Sequence, residues 1–157
     1  MGSARVGALA GWTTLACILA FEVIGPSLVA GQPPTGVTDP AALRDYYGHT
    51  GLAAFALASY LALPAFAIFV AALRRRLVEA APMLADVGLI AAAAALAVLL
   101  VRTGLELAAI RAVREGIDPM PLHLGWDYTY NSALYAMEAT YPVAFGLAVR
   151  QVAGFPR

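Results

Sequence analysis

Lysine is missing altogether from this sequence: all ten basic residues are arginines, set against ten acidic ones for a formal charge of zero. No basic run is interleaved with aromatics, so nothing supports nucleic acid as a partner. The single cysteine, Cys17, excludes an intrachain disulfide and a thiolate metal cluster. It reads as a small packing residue. Histidine occurs only as His49 and His123, so a bis-histidine haem would have these two alone, neither with a second histidine at helical spacing. The Glu-x-x-His signature of bundle di-metal sites is absent. So are a glycine-rich phosphate loop and a Ser-His-Asp order with a nucleophile elbow. No metal and no cofactor is therefore expected.

Charge of either sign is scarce, 13% of the 157 residues against 61% hydrophobic ones, with mean hydropathy +0.74. A soluble domain carries about 25% charged residues. Four apolar runs, about residues 6–30, 50–73, 83–109 and 128–149, each reach the roughly 20 residues that cross a bilayer. The first is too long for a signal-peptide core and holds Glu22 and Pro26 where cleavage would fall. The expected fold is all-α: a four-helix transmembrane bundle forming one integral membrane domain over 1–157.

Arginine placement sets the orientation. Arg5, Arg74, Arg75, Arg76, Arg150 and Arg157 fall on one side of the four runs, and Arg44, Arg111 and Arg114 on the other. Arginine-rich short loops stay in the cytoplasm. Both termini are thus expected inside, with loops 31–49 and 111–127 outside. The localisation is the plasma (inner) membrane of a bacterium, multi-pass, with the lipid bilayer as first partner.

Polar residues inside such runs are read as functional by default. Glu138 lies mid-run, four residues before Pro142, and Glu22 stands in the same Glu-x-x-x-Pro setting before Pro26. Asp127, Asn131 and Glu138 share a helical face. In the first run Gly7, Gly11, Ile18, Glu22 and Gly25 point one way, a stripe that lets a neighbour approach. In the second, Asp45, His49, Ala53, Ala56, Tyr60, Pro64 and Ala67 align. In the third, Gly88, Ala91, Ala95, Val98, Arg102, Glu106 and Ala109 do, with Arg102 and Glu106 spaced for an ion pair. Asp39-Pro40 predicts the N-terminus of a short outer helix over 40–47. Gly116 and Asp118-Pro119 predict a stop, and 119–125 an apolar outer loop containing His123. Trp126, Tyr128 and Tyr130 read as interfacial anchors.

The Pro-rich loop, Asp39-Pro-Ala-Ala-Leu-Arg-Asp-Tyr-Tyr-Gly-His49 and the helix end Ala72-Leu-Arg-Arg-Arg-Leu77 resemble multi-pass membrane proteins of actinobacteria, over about residues 15–110. The resemblance implies membrane embedding and no particular activity. Glu22 and Glu138 are not part of it.

These positions bring a polar group from every run to the outer leaflet. The first reading is an outward-facing pocket for a small lipophilic molecule. There Glu138 and Glu22 would be the acid/base pair and Arg102 the electrostatic stabiliser, for isomerase- or cyclase-like proton transfer. His49, Tyr60, Glu106, Asp127, Asn131 and Tyr135 would bind or orient the ligand. A second reading is a structural or assembly subunit that packs its polar face on a membrane partner. A third is a proton or solute transport element working as a homo-oligomer.

Overall fold

The computed structural model describes residues 3–19, 39–129 and 134–152. Among them every regular element is a helix: α1 (Ser3–Leu19), α2 (Pro40–Gly48), α3 (Thr50–Leu77), α4 (Pro82–Arg114), α5 (Met120–Tyr128) and α6 (Tyr135–Val149). The all-α expectation holds. Of the four expected spans, one helix among the described residues, the 33-residue α4, is long and apolar enough to cross a membrane.

Local chemistry sets the boundaries. Asp39 caps α2, its Oδ1 accepting from the Ala41 N–H at 2.9 Å, with Pro40 in the first turn. The α3 helix runs on through Arg74–Arg76, whose charges suit the negative end of its dipole. Gly116 ends α4 with φ of 74°. The Ile117 N–H then reaches the Ala112 carbonyl at 2.8 Å and the Gly116 N–H that of Val113 at 3.1 Å, which satisfies the last turn's carbonyls.

One expectation is corrected here. Residues 119–125 are not a loop but most of α5. Asp118 repeats the Asp39 device, its Oδ1 accepting from the Met120 N–H at 3.1 Å. The Asp-Pro pair that stops α4 also starts a new helix. Thr129 and Leu134, on either side of residues outside the described set, take wider π-type turns.

The long α4 is the hub, packing against α3, α6, α5 and α2, while α1 lies on α3. Contacts are made by small residues. A Cβ at Gly7 would sit 2.6 Å from Ala72 Cβ, and one at Gly88 2.7 Å from the Phe145 ring. Gly7 and Gly11 of the first run's stripe and the Gly88–Ala109 face of the third thus lie at helix contacts, while the Ile18 side chain, Glu22 and Gly25 fall outside the described residues. Pro64 and Ala67, assigned inward on α3, are exposed; the face that packs instead carries Phe66, Phe69, Val70, Leu73 and Leu77.

On α1 and α4 small residues are buried and many large apolar ones exposed, while aromatic and large aliphatic side chains fill the contacts made by α2, α3, α5 and α6. The α4 helix buries Ala85, Gly88, Ala91, Ala92 and Ala95, and exposes Met83, Val87, Ile90, Leu100 and Val101. The α1 helix buries Ala10 and exposes Val6, Leu9, Trp12 and Leu15. Only 28% of the most apolar stretch of α4 is buried. In water the large side chains would turn inward, whereas helices in lipid gain their packing through small residues.

Candidate functional site

The two short helices, α2 and α5, meet over the C-terminal third of α4. On α2 the stripe Leu43, Tyr46 and Tyr47 is buried against Ala109 and Ile110 of α4, with Met120 and Leu122 of α5 alongside. On α5, His123 and Trp126 lie one turn apart and are buried to 1% and 2% exposure. Helices α5 and α4 come close at Gly125, where an added Cβ would lie 3.4 Å from Leu105.

Four aromatic rings, the Arg102 guanidinium and the Glu106 carboxyl meet at this junction. The Tyr47 hydroxyl is 2.9 Å from His123 Nδ1. His123 stacks on Trp126 at 5.7 Å between centroids and 15° between planes. Tyr47 meets Tyr46 edge-on at 5.0 Å and His123 edge-on at 5.9 Å. The Arg102 guanidinium lies over the Trp126 ring, 5.1 Å from its centroid, within cation–π range. Glu106, one turn along from Arg102, is 6% exposed.

Burial pushes both phenols well above the usual tyrosine range. The Glu106 charge pushes the same way, and the Arg102 charge opposes it. Tyr47 therefore keeps its proton, and its hydroxyl shares with His123 Nδ1 a hydrogen bond whose direction follows the imidazole tautomer. The other ring nitrogen, Nε2, is buried and has no hydrogen-bond partner among the described residues. A buried polar atom left unmade costs about 1–3 kcal/mol, so native structures supply a partner, protein, water or ligand.

Four of the candidate residues read from the sequence gather here. Arg102 and Glu106 are at the centre. Tyr60 reaches the same stretch of α4, since a Cβ at Gly104 would lie 3.8 Å from its hydroxyl. Asp127 is half-buried on α5, and its charge reaches Tyr47. His49 is half-buried at the α2–α3 junction, where its N–H donates to the Tyr46 carbonyl at 3.3 Å.

Two others are placed elsewhere. Glu138 and Tyr135 are exposed on α6. The buried stripe of that helix runs through Leu134, Ala144, Phe145 and Ala148, and Glu138 falls on its flank. Glu22 and Asn131 lie outside the described residues, as do the side chains of Ala53 and Ala56.

His123, Tyr46, Tyr47 and Trp126 were not among the candidates. Two signals in the sequence mark them. The spacing Leu43, Tyr46, Tyr47 is the stripe of an amphipathic helix. The second Asp-Pro pair announces another short helix, which sets His123 and Trp126 on one face.

The arrangement gathers an unpartnered imidazole nitrogen, a cation, carboxyl groups and stacked aromatic rings at one end of an apolar bundle. Among the described residues no three His, Cys, Asp or Glu side chains converge as a metal site would require. Comparison with known protein families, with curated proteins and with solved structures returns no match.

Proposed function

We propose that this chain is a multi-pass membrane protein, a four-span bundle with both termini in the cytoplasm, and that it binds a small lipophilic molecule at the α2–α4–α5 junction. The burial of small residues and exposure of large apolar ones on α1 and α4 supports the membrane setting. The observation that carries the binding reading is the buried His123 Nε2, without a hydrogen-bond partner at a junction that also holds Arg102 and Glu106. A ligand pocket needs a few fixed polar groups in apolar walls.

Native mass spectrometry of the protein, purified in nanodiscs and exposed to a lipid extract of its host, tests the binding reading. A retained low-mass species, released by substitution of Arg102 or His123, is the expected result. A protein that emerges without any bound species would instead favour the reading as a subunit of a larger assembly. Orientation is tested in a Cys17→Ser background. Glu79→Cys, in the turn after the arginines, should react with an impermeant thiol reagent only in opened cells. Asp118→Cys, before α5, should react in intact cells. The reverse pattern would overturn the topology.

A further inference from the structure

We propose that the end of the bundle opposite this junction holds an anionic phospholipid of the cytoplasmic leaflet, its phosphate against Arg75 and Arg76 and an acyl chain along the exposed face of α3. This rests on the membrane setting and orientation above, and is independent of any ligand at the α2–α4–α5 junction.

Helix register gathers the charge. Gly7 of α1 meets Ala72 of α3 and Gly11 meets Phe69, so the two helices run antiparallel. Phe145 of α6 meets Gly88, and Ala148 packs in one cluster with Leu77, Ala81 and Ala85. The start of α1, the α3–α4 turn and the end of α6 thus share one end of the molecule. Among the described residues that end carries five arginines, Arg5, Arg74, Arg75, Arg76 and Arg150, against two carboxylates, Glu79 and Asp86. The opposite end carries four arginines against six carboxyl groups.

Two of the five arginines face solvent without a carboxylate. Asp86 is taken by Arg74 at 2.8 Å. Arg75 and Arg76 are exposed, and neither has an ion-pair partner among the described residues. A guanidinium offers phosphate oxygens paired N–H donors as well as charge. A glycerol headgroup leaves the lipid phosphate its full negative charge, which the arginine excess attracts. A choline headgroup brings an ammonium of its own, which the same arginines repel.

The face of α3 below these arginines suits an acyl chain. Pro64, Ile68, Ala71 and Arg75 recur at helical spacing and are all exposed. At 1.5 Å per residue the strip from Pro64 to Arg75 is about 16 Å long. One leaflet of a roughly 30 Å hydrocarbon core has about that depth. A chain laid on the strip therefore brings its headgroup to Arg75. Arg76 lies one turn beyond Ala72, level with the first turn of α1, and adds the second guanidinium. An apolar strip that ends in cations matches an anionic amphiphile, and a free phosphate would use only its tip.

The test offers the full chain, purified in an uncharged detergent, palmitoyl-oleoyl phosphatidylglycerol or the phosphatidylcholine of the same chains. Native mass spectrometry reads the bound lipid. The expected result is retention of phosphatidylglycerol over phosphatidylcholine by about tenfold or more. Inorganic phosphate should not displace it. Arg75→Gln/Arg76→Gln should abolish the preference, Arg75→Lys/Arg76→Lys should keep most of it, and Arg111→Gln/Arg114→Gln, at the other end, should leave it unchanged. Circular dichroism and unfolding midpoints control for folding, and the Glu79→Cys labelling above controls for orientation.

Equal retention of the two lipids would overturn the anionic class. A preference that survives Arg75→Gln/Arg76→Gln would overturn the site, and displacement by inorganic phosphate would overturn the part played by the acyl chain. A membrane-extracted chain that retains neither lipid sinks this proposal alone. A chain recovered in the soluble fraction of lysed cells would overturn the membrane setting itself.

Discussion

The Tyr47 hydroxyl and His123 Nδ1, 76 residues apart in sequence, lie 2.9 Å apart and tie the two short helices together over the end of α4. Tyr47→Phe keeps the ring contacts and removes the hydroxyl. It leaves a buried imidazole nitrogen unmade, so stability should fall by about 1–3 kcal/mol. Thermal unfolding in detergent checks this. A midpoint equal to that of the parent would show that the bond contributes nothing.

Alkaline pH should act on the same pair. The folded Tyr46 and Tyr47 phenols titrate above their unfolded value of about 10. Between those values the folded state binds more protons than the unfolded one. The stabilisation is complete below about pH 10 and is lost as pH rises from there. Absorbance near 295 nm should show a late-ionising tyrosine fraction released together with loss of structure. The double variant Tyr46→Phe/Tyr47→Phe should diminish that late fraction.

Close helix contacts predict opposite outcomes for two glycines. At Gly7 an added methyl would stand 2.6 Å from the rigid Cβ of Ala72. Gly7→Ala should therefore push α1 off α3 and cost about 1–3 kcal/mol, the range for overpacking. At Gly146 nothing lies within 4 Å. Gly146→Ala should be neutral or stabilise by up to about 1 kcal/mol through helix propensity. Unfolding midpoints that shift alike in both variants would contradict the packing described here.

Arg74 Nε and Asp86 Oδ1 are 2.8 Å apart across the α3–α4 turn, with side chains 37% and 50% exposed. An ion pair so open to solvent contributes about 0–1 kcal/mol. Arg74→Ala should change the midpoint little at low salt and still less at high salt, where the pair is screened. A large, salt-independent loss would mean that Arg74 acts through packing.

Glu138 and Arg102 should separate in binding assays. Arg102 lies over Trp126 inside the junction, whereas Glu138 is exposed on α6. Arg102→Met should weaken ligand retention by about tenfold or more, the scale of one charge-assisted contact. Glu138→Gln should leave it nearly unchanged. Equal losses in both would return Glu138 to the site.

Composition and local pattern determined the helical class, the α2 start at Asp39-Pro40, the α4 stop at Gly116 and the small-residue contact stripes. These follow from interactions within a few residues or from a 3.6-residue period, which are written directly in the chain. Arg102 and Glu106 were legible for the same reason, as polar groups on a packing face. Tertiary structure decided what joins them. Tyr47 and His123 meet only because two short helices fold onto one end of α4. No local signal relates residue 47 to residue 123. The rotation of α6 was likewise set by seating Phe145 against Gly88, with Glu138 on the flank of the buried stripe. Periodicity fixes which residues share a face; the neighbouring helix decides which way that face points.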